Sequence, residues 1–87
     1  MAIISYLDNC VYLSSRSFIS KDGKHFCILS FMYGGELYSD VFIDAKFSDF
    51  LSSLVFGDFL NVELNITRFN GRWNVAVSSI TLGKEVN

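Results

Sequence analysis

Hydrophobic and polar residues alternate with a period of two along most of this chain, the pattern of half-buried strands. The alternation predicts strands over 10–20, 25–33, 36–43, 60–69 and 72–82, preceded by a short strand or arm over 2–7. Asp22-Gly23, Gly34-Gly35 and Asn70-Gly71 separate these runs. Each reads as a two-residue hairpin turn, because a type I′ turn needs positive φ, which Gly and Asn adopt at little cost. The alternation breaks once, where Phe47, Phe50, Leu51, Leu54 and Val55 recur at i, i+3, i+4, i+7 and i+8. That stripe predicts a short helix, with Asp44 placed to cap its start and Gly57 to stop it. Three strands, a helix and two strands is the order of an all-β, five-stranded OB-fold, a Greek-key barrel with one short helix between strands 3 and 4. At 87 residues the chain makes one domain, 1–87.

The turns also predict register. With Asp22-Gly23 central, Phe18 faces Cys27; with Gly34-Gly35 central, Met32 faces Leu37. One face of the first three strands then carries Val11, Leu13, Ile19, Phe26, Ile28, Met32, Leu37, Val41 and Ile43, and is expected to be the core. The other carries Tyr12, Ser14, Arg16, Phe18, Ser20, His25, Cys27, Leu29, Phe31, Tyr33, Tyr38, Asp40 and Phe42. Six rings on one face suit stacking on bases. A helix, the N-terminal arm or a second subunit covering them is the competing reading. In the last hairpin, Leu60, Val62, Leu64 and Ile66 face Trp73, Val75 and Val77 as a second core stripe. Arg68 lies opposite Trp73 near the tip, placed for a cation–π contact or a dimer contact.

Composition sharpens this picture. Hydrophobic residues make up 51% and aromatics 16%, enough to fill a core and leave rings over. No apolar run approaches the roughly 20 residues of a membrane span. The N-terminus lacks the basic flank and apolar run of a signal peptide, so a cytoplasmic location is expected. The expected pairing keeps Cys10 and Cys27 apart, which argues against a disulfide. Two cysteines and one histidine cannot complete a four-ligand zinc site, and no metal or other cofactor is expected. No nucleophile–base set can be drawn around His25, and Gly34-Gly35 is a turn rather than a phosphate cradle, so no enzymatic activity and no small-molecule substrate are expected.

Net charge is −2, from seven basic and nine acidic residues, which does not by itself favour a polyanion. Its distribution does. Arg16, Lys21, Lys24, Arg68 and Arg72 lie near two hairpin turns with only Asp22 among them, whereas Lys46 and Lys84 face eight acids over the rest. Residues 16–26 read Arg-Ser-Phe-Ile-Ser-Lys-Asp-Gly-Lys-His-Phe, a ribbon that interleaves cations with rings. A lysine-rich tip is also what a merely solvated hairpin carries. Cations for phosphates and rings for bases are what single-stranded nucleic acid requires. The expected phosphate contacts are Arg16, Lys21, Lys24 and Arg72; the expected stacking residues are Phe18, Phe26, Phe31, Tyr33 and Tyr38.

Arg16-Ser17 followed by Ser20-Lys21-Asp22-Gly23-Lys24-His25-Phe26 resembles the DNA-binding wing of the filamentous-phage gene V single-stranded DNA-binding proteins. That wing carries an Arg-Ser, a small-polar/basic/polar/Gly/Lys run and an aromatic two residues after the Lys. The resemblance implies a cytoplasmic OB-fold homodimer that coats single-stranded DNA without sequence specificity during phage replication. It places Arg16, Lys21 and Lys24 on phosphates, and Phe26 on a stacking position where the family pattern has Tyr. Phe31 and Tyr38 fall on aromatic positions of the binding face. The family's dimer-forming loop falls on Arg68, Phe69, Asn70, Gly71 and Trp73. Strand parity instead points Phe26 inward, and its place near the ribbon tip reconciles the two. A protein–protein module whose aromatic face is an interface, and a single-stranded RNA binder, remain the alternatives.

Overall fold

The computed structural model describes residues 2–83. Five strands run in the order β1 (Ala2–Ile19), β2 (His25–Tyr33), β3 (Glu36–Ile43), β4 (Phe59–Phe69) and β5 (Arg72–Leu82). Between β3 and β4 lie a 3-10 turn (Ala45–Phe47) and the helix α1 (Ser48–Ser52). The strands close into a barrel in the spatial order β1-β2-β3-β5-β4. The expected arm over 2–7 and first strand are one strand. It bends at Asn9, which adopts φ 57° and donates its N–H to Asn61 Oδ1 at 3.1 Å. Its first half pairs with β4 and its second with β2, so this single bent strand joins both sides of the barrel. β3 and β5 meet in parallel through Phe42 opposite Ala76 and Ile43 opposite Val77. A closed barrel leaves few strand edges open to mispairing.

The first hairpin departs from the expected register. Gly23 N–H donates to Ser20 O at 3.0 Å and Ser20 N–H to Lys24 O at 2.8 Å. With Gly23 at φ 81°, this is a three-residue loop ending in a glycine bulge. Ser20 fastens it, accepting Lys24 N–H at 3.2 Å and bonding its hydroxyl to the Asp22 carboxylate. Phe18 therefore faces Phe26, not Cys27. A one-residue slip exchanges the faces of β2. Cys27, Leu29 and Phe31 are buried, whereas Phe26 and Met32 turn outward.

Bulges redirect the neighbours too. The β1–β2 register shifts between Tyr12 and Ser14, which buries Tyr12 while Arg16 and Phe18 stay outside. The β2–β3 register holds as expected from Tyr33 to Phe31, then shifts before Leu29. There Asp40, at φ 54°, donates its N–H to Ser30 Oγ at 3.1 Å. The expected core residues Val41, Ile43 and Ile28 are buried, Ile28 in the row between Arg16 and Phe42 and apart from the core cluster, but Leu37 is exposed. Val11 and Leu13 are only half-buried, and Ile19 is exposed on the projecting ribbon.

The helical stripe is shorter than its spacing predicts. Leu51 is buried, and Phe47, Phe50 and Leu54 pack against the core, but Val55 is exposed. Asp44 caps the segment as expected, accepting Lys46 N–H at 2.8 Å. Gly57, at φ 95°, lies in the turn that leads into β4. Cys10 and Cys27 are free and buried in the core. Burial, with a smaller effect of the Asp8 charge, pushes the Cys10 thiol up to about 11.

Candidate nucleic-acid interface

β1 and β2 project as a ribbon whose Ser20–Lys24 end carries exposed Lys21, Lys24 and His25. On its outer face the Phe18 and Phe26 rings stack with centroids 5.6 Å apart. Phe26 meets Phe42 edge-on at 6.4 Å. Phe18 and Phe42 keep 45% and 53% of their surface exposed, although each already touches another ring. Arg16 stands opposite Ile28, which stands opposite Phe42, so the guanidinium and the rings occupy one face. The Ser20 hydroxyl, and secondarily the backbone, hold the Asp22 carboxyl below its usual range. That carboxylate is the only acid in the loop, and its bond to Ser20 ties it to the loop's own frame.

The structure divides the expected stacking residues. Phe18 and Phe26 belong to the exposed cluster. Phe31 does not: it is fully buried and stacks on Tyr38 at 5.1 Å with the ring planes 6° apart. Tyr33 and Tyr38 are half-buried and pack against that core. The physical reason is the loop register, which turns the odd-numbered residues of β2 inward together with their β3 partners. Phe42 is the ring that the expected site omits. Its position beside Arg16 and Phe18 on the predicted aromatic face is the signal that marks it.

The β4–β5 hairpin follows its expected register from the turn as far as Leu64 opposite Val77, with Arg68 opposite Trp73 and Phe69 opposite Arg72, and shifts by one residue beyond it. Trp73 and Val75 of the expected second core stripe are exposed, because they lie toward the projecting tip. Asn70 and Gly71, at φ 51° and 77°, make the tight turn. Arg68 lies 5.5 Å from the Trp73 ring centroid. Phe69 and Trp73 remain exposed, and Ile3 and Val75 extend the apolar surface toward the barrel. Arg72 sits on this second hairpin, apart in sequence from the Ser20–Lys24 loop. Among the described residues, no helix is long and apolar enough to cross a membrane, and no group of three or more His, Cys, Asp or Glu residues could hold a metal ion.

The architecture has a solved counterpart. The mitochondrial single-stranded DNA-binding protein Rim1 of S. cerevisiae superimposes with a TM-score of 0.70, covering 94% of this chain and 96% of that one at 12% identity. The fold is an OB-fold. At that identity the likeness concerns the barrel and not the residues on it. No protein-family model matches the chain, and comparison with curated proteins gives no match.

Proposed function

We propose that this OB-fold is a non-enzymatic binder of single-stranded DNA that coats the strand without sequence specificity. The observation that carries the reading is the exposed Phe18–Phe26–Phe42 cluster on the same face as Arg16, beneath a loop bearing Lys21 and Lys24. Every base has a π-face, so rings of this kind accept any sequence. The cations neutralise phosphates, with Arg72 contributing from the β4–β5 hairpin. The apolar surface of Phe69 and Trp73 at that hairpin suits a homodimer contact. The wing resemblance supports a role in phage or mobile-element DNA replication in the host cytoplasm.

Fluorescence titration with oligo-dT at two salt concentrations tests the reading, with Trp73 and the tyrosines as signal. Affinity falls as salt rises, with a log–log slope of about −0.7 per phosphate contacted. Replacing Lys21 and Lys24 with Glu abolishes binding and leaves assembly intact. Salt-independent affinity, or no binding at low salt, refutes the proposal and favours a protein–protein module. Parallel titration with oligo-U separates DNA from RNA preference.

A further inference from the structure

We propose that Phe42, Ala76 and Asn65 form a second base-binding subsite, which takes one nucleobase of the strand held by the ribbon. The inference rests on the single-stranded DNA reading and extends its path across the barrel. Phe42 stands opposite Ala76, Ala76 opposite Asn65, and Asn65 opposite Ile4. Ile43, Val77 and Leu64, one position away in each strand, are buried, so Phe42, Ala76 and Asn65 face outward. Phe42 and Asn65 are two strand spacings apart, about 9.5 Å. Only a methyl group stands between them, which leaves a step the width of one base.

Asn65 supplies a second, independent observation. Its Oδ1 is the one buried side-chain polar atom among the described residues without a hydrogen-bond partner. Buried carbonyl oxygens almost always have a donor. The terminal torsion of Asn is a broad rotor, so a small turn brings this oxygen to the edge of the step. An amide offers donor and acceptor side by side, as every Watson–Crick edge does. A base over Ala76 therefore meets the Phe42 ring on one side and the Asn65 amide on the other, whatever its identity. A nucleic acid is favoured as occupant because the same row continues through Ile28 to Arg16. It starts beside the Lys21–Lys24 loop, so a polyanion that follows the cations reaches the step.

Three variants test the subsite by oligo-dT titration, with melting temperature as the check on folding. Ala76→Leu fills the step and Phe42→Ala removes its wall. Each weakens binding about tenfold, within the range of one lost base contact. The salt slope stays at the wild-type value, because no phosphate contact is touched. Asn65→Ala weakens binding while melting at or above the wild-type temperature, since it removes an unsatisfied oxygen. Wild-type affinity in Ala76→Leu and Asn65→Ala, with binding weakened in Phe42→Ala and lost in the Lys21→Glu/Lys24→Glu protein, overturns the subsite and leaves the ribbon in place. No oligonucleotide binding by the wild type overturns both. Should Ala76→Leu fail to fold, Asn65→Ala carries the same decision.

Discussion

Replacing Phe31 with Ala separates a core ring from a binding ring. Phe31 has no exposed surface and stacks on Tyr38 in the barrel interior. Truncating a buried Phe removes its transfer free energy and leaves a cavity, together about 3–5 kcal/mol. A domain of this size has a total stability of about 5–15 kcal/mol, so Phe31→Ala consumes much of it. At about 4–8 °C per kcal/mol the melting temperature falls by at least about 12 °C. Phe18→Ala is the contrasting variant. Its ring is nearly half exposed and its main contact is Phe26. The stability loss is that of one aromatic pair, about 0.5–1.5 kcal/mol, whereas oligonucleotide affinity falls by about 1–3 kcal/mol. Circular-dichroism melts and oligo-dT titrations, run on both variants below their melting transitions, read the two effects separately. A Phe31→Ala protein that melts like wild type but loses DNA affinity refutes the register described above. It restores the unshifted hairpin, in which Phe31 faces outward.

Other perturbations follow from single features. Gly23→Ala meets no neighbouring atom but must hold φ 81°, which costs about 1–2 kcal/mol; a melt shows the loss, and oligo-dT affinity falls as the Lys21–Lys24 loop shifts. The Cys10 thiol stays protonated in the fold up to about 11, against 9.0 for a free thiol. Its raised value means that stability is fully present below pH 9 and is lost as pH climbs from there toward 11; urea titrations across that window show the decline, and Cys10→Ala flattens it. Trp73→Asp places a charge in the apolar hairpin surface and converts the proposed dimer to monomer in sedimentation analysis, with a loss of fold stability no greater than about 1 kcal/mol.

The turn-proximal half of the β4–β5 hairpin, from Phe69–Arg72 to Leu64–Val77, was legible in the sequence because Asn70-Gly71 admits one tight turn; the one-residue shift beyond it was not. The Arg68–Trp73 contact follows from that register alone. The β1–β2 hairpin was not legible to the same degree. Asp22-Gly23 serves as the centre of a two-residue turn or as the end of a three-residue loop. What selects the loop is Ser20, whose hydroxyl holds both Lys24 N–H and the Asp22 carboxylate. Sequence parity alone has no access to that choice, so it moved Phe26 inside and Phe31 outside.

Order, class and charge placement belonged to the sequence by itself: five strands, a short helix after the third, and cations gathered at two hairpin tips. These depend on local periodicity and turn chemistry, which act within a few residues. The faces of β2, the continuous bent course of β1, and the meeting of Phe42 with Ala76 were decided only in three dimensions. Each depends on a bulge or a closure, where one extra residue reverses every side chain beyond it and the cost is set by partners far along the chain. The exposed ring cluster is the product of both levels. Local sequence supplied Arg16, Phe18 and Phe26, and the shifted β2–β3 pairing brought Phe42 beside them.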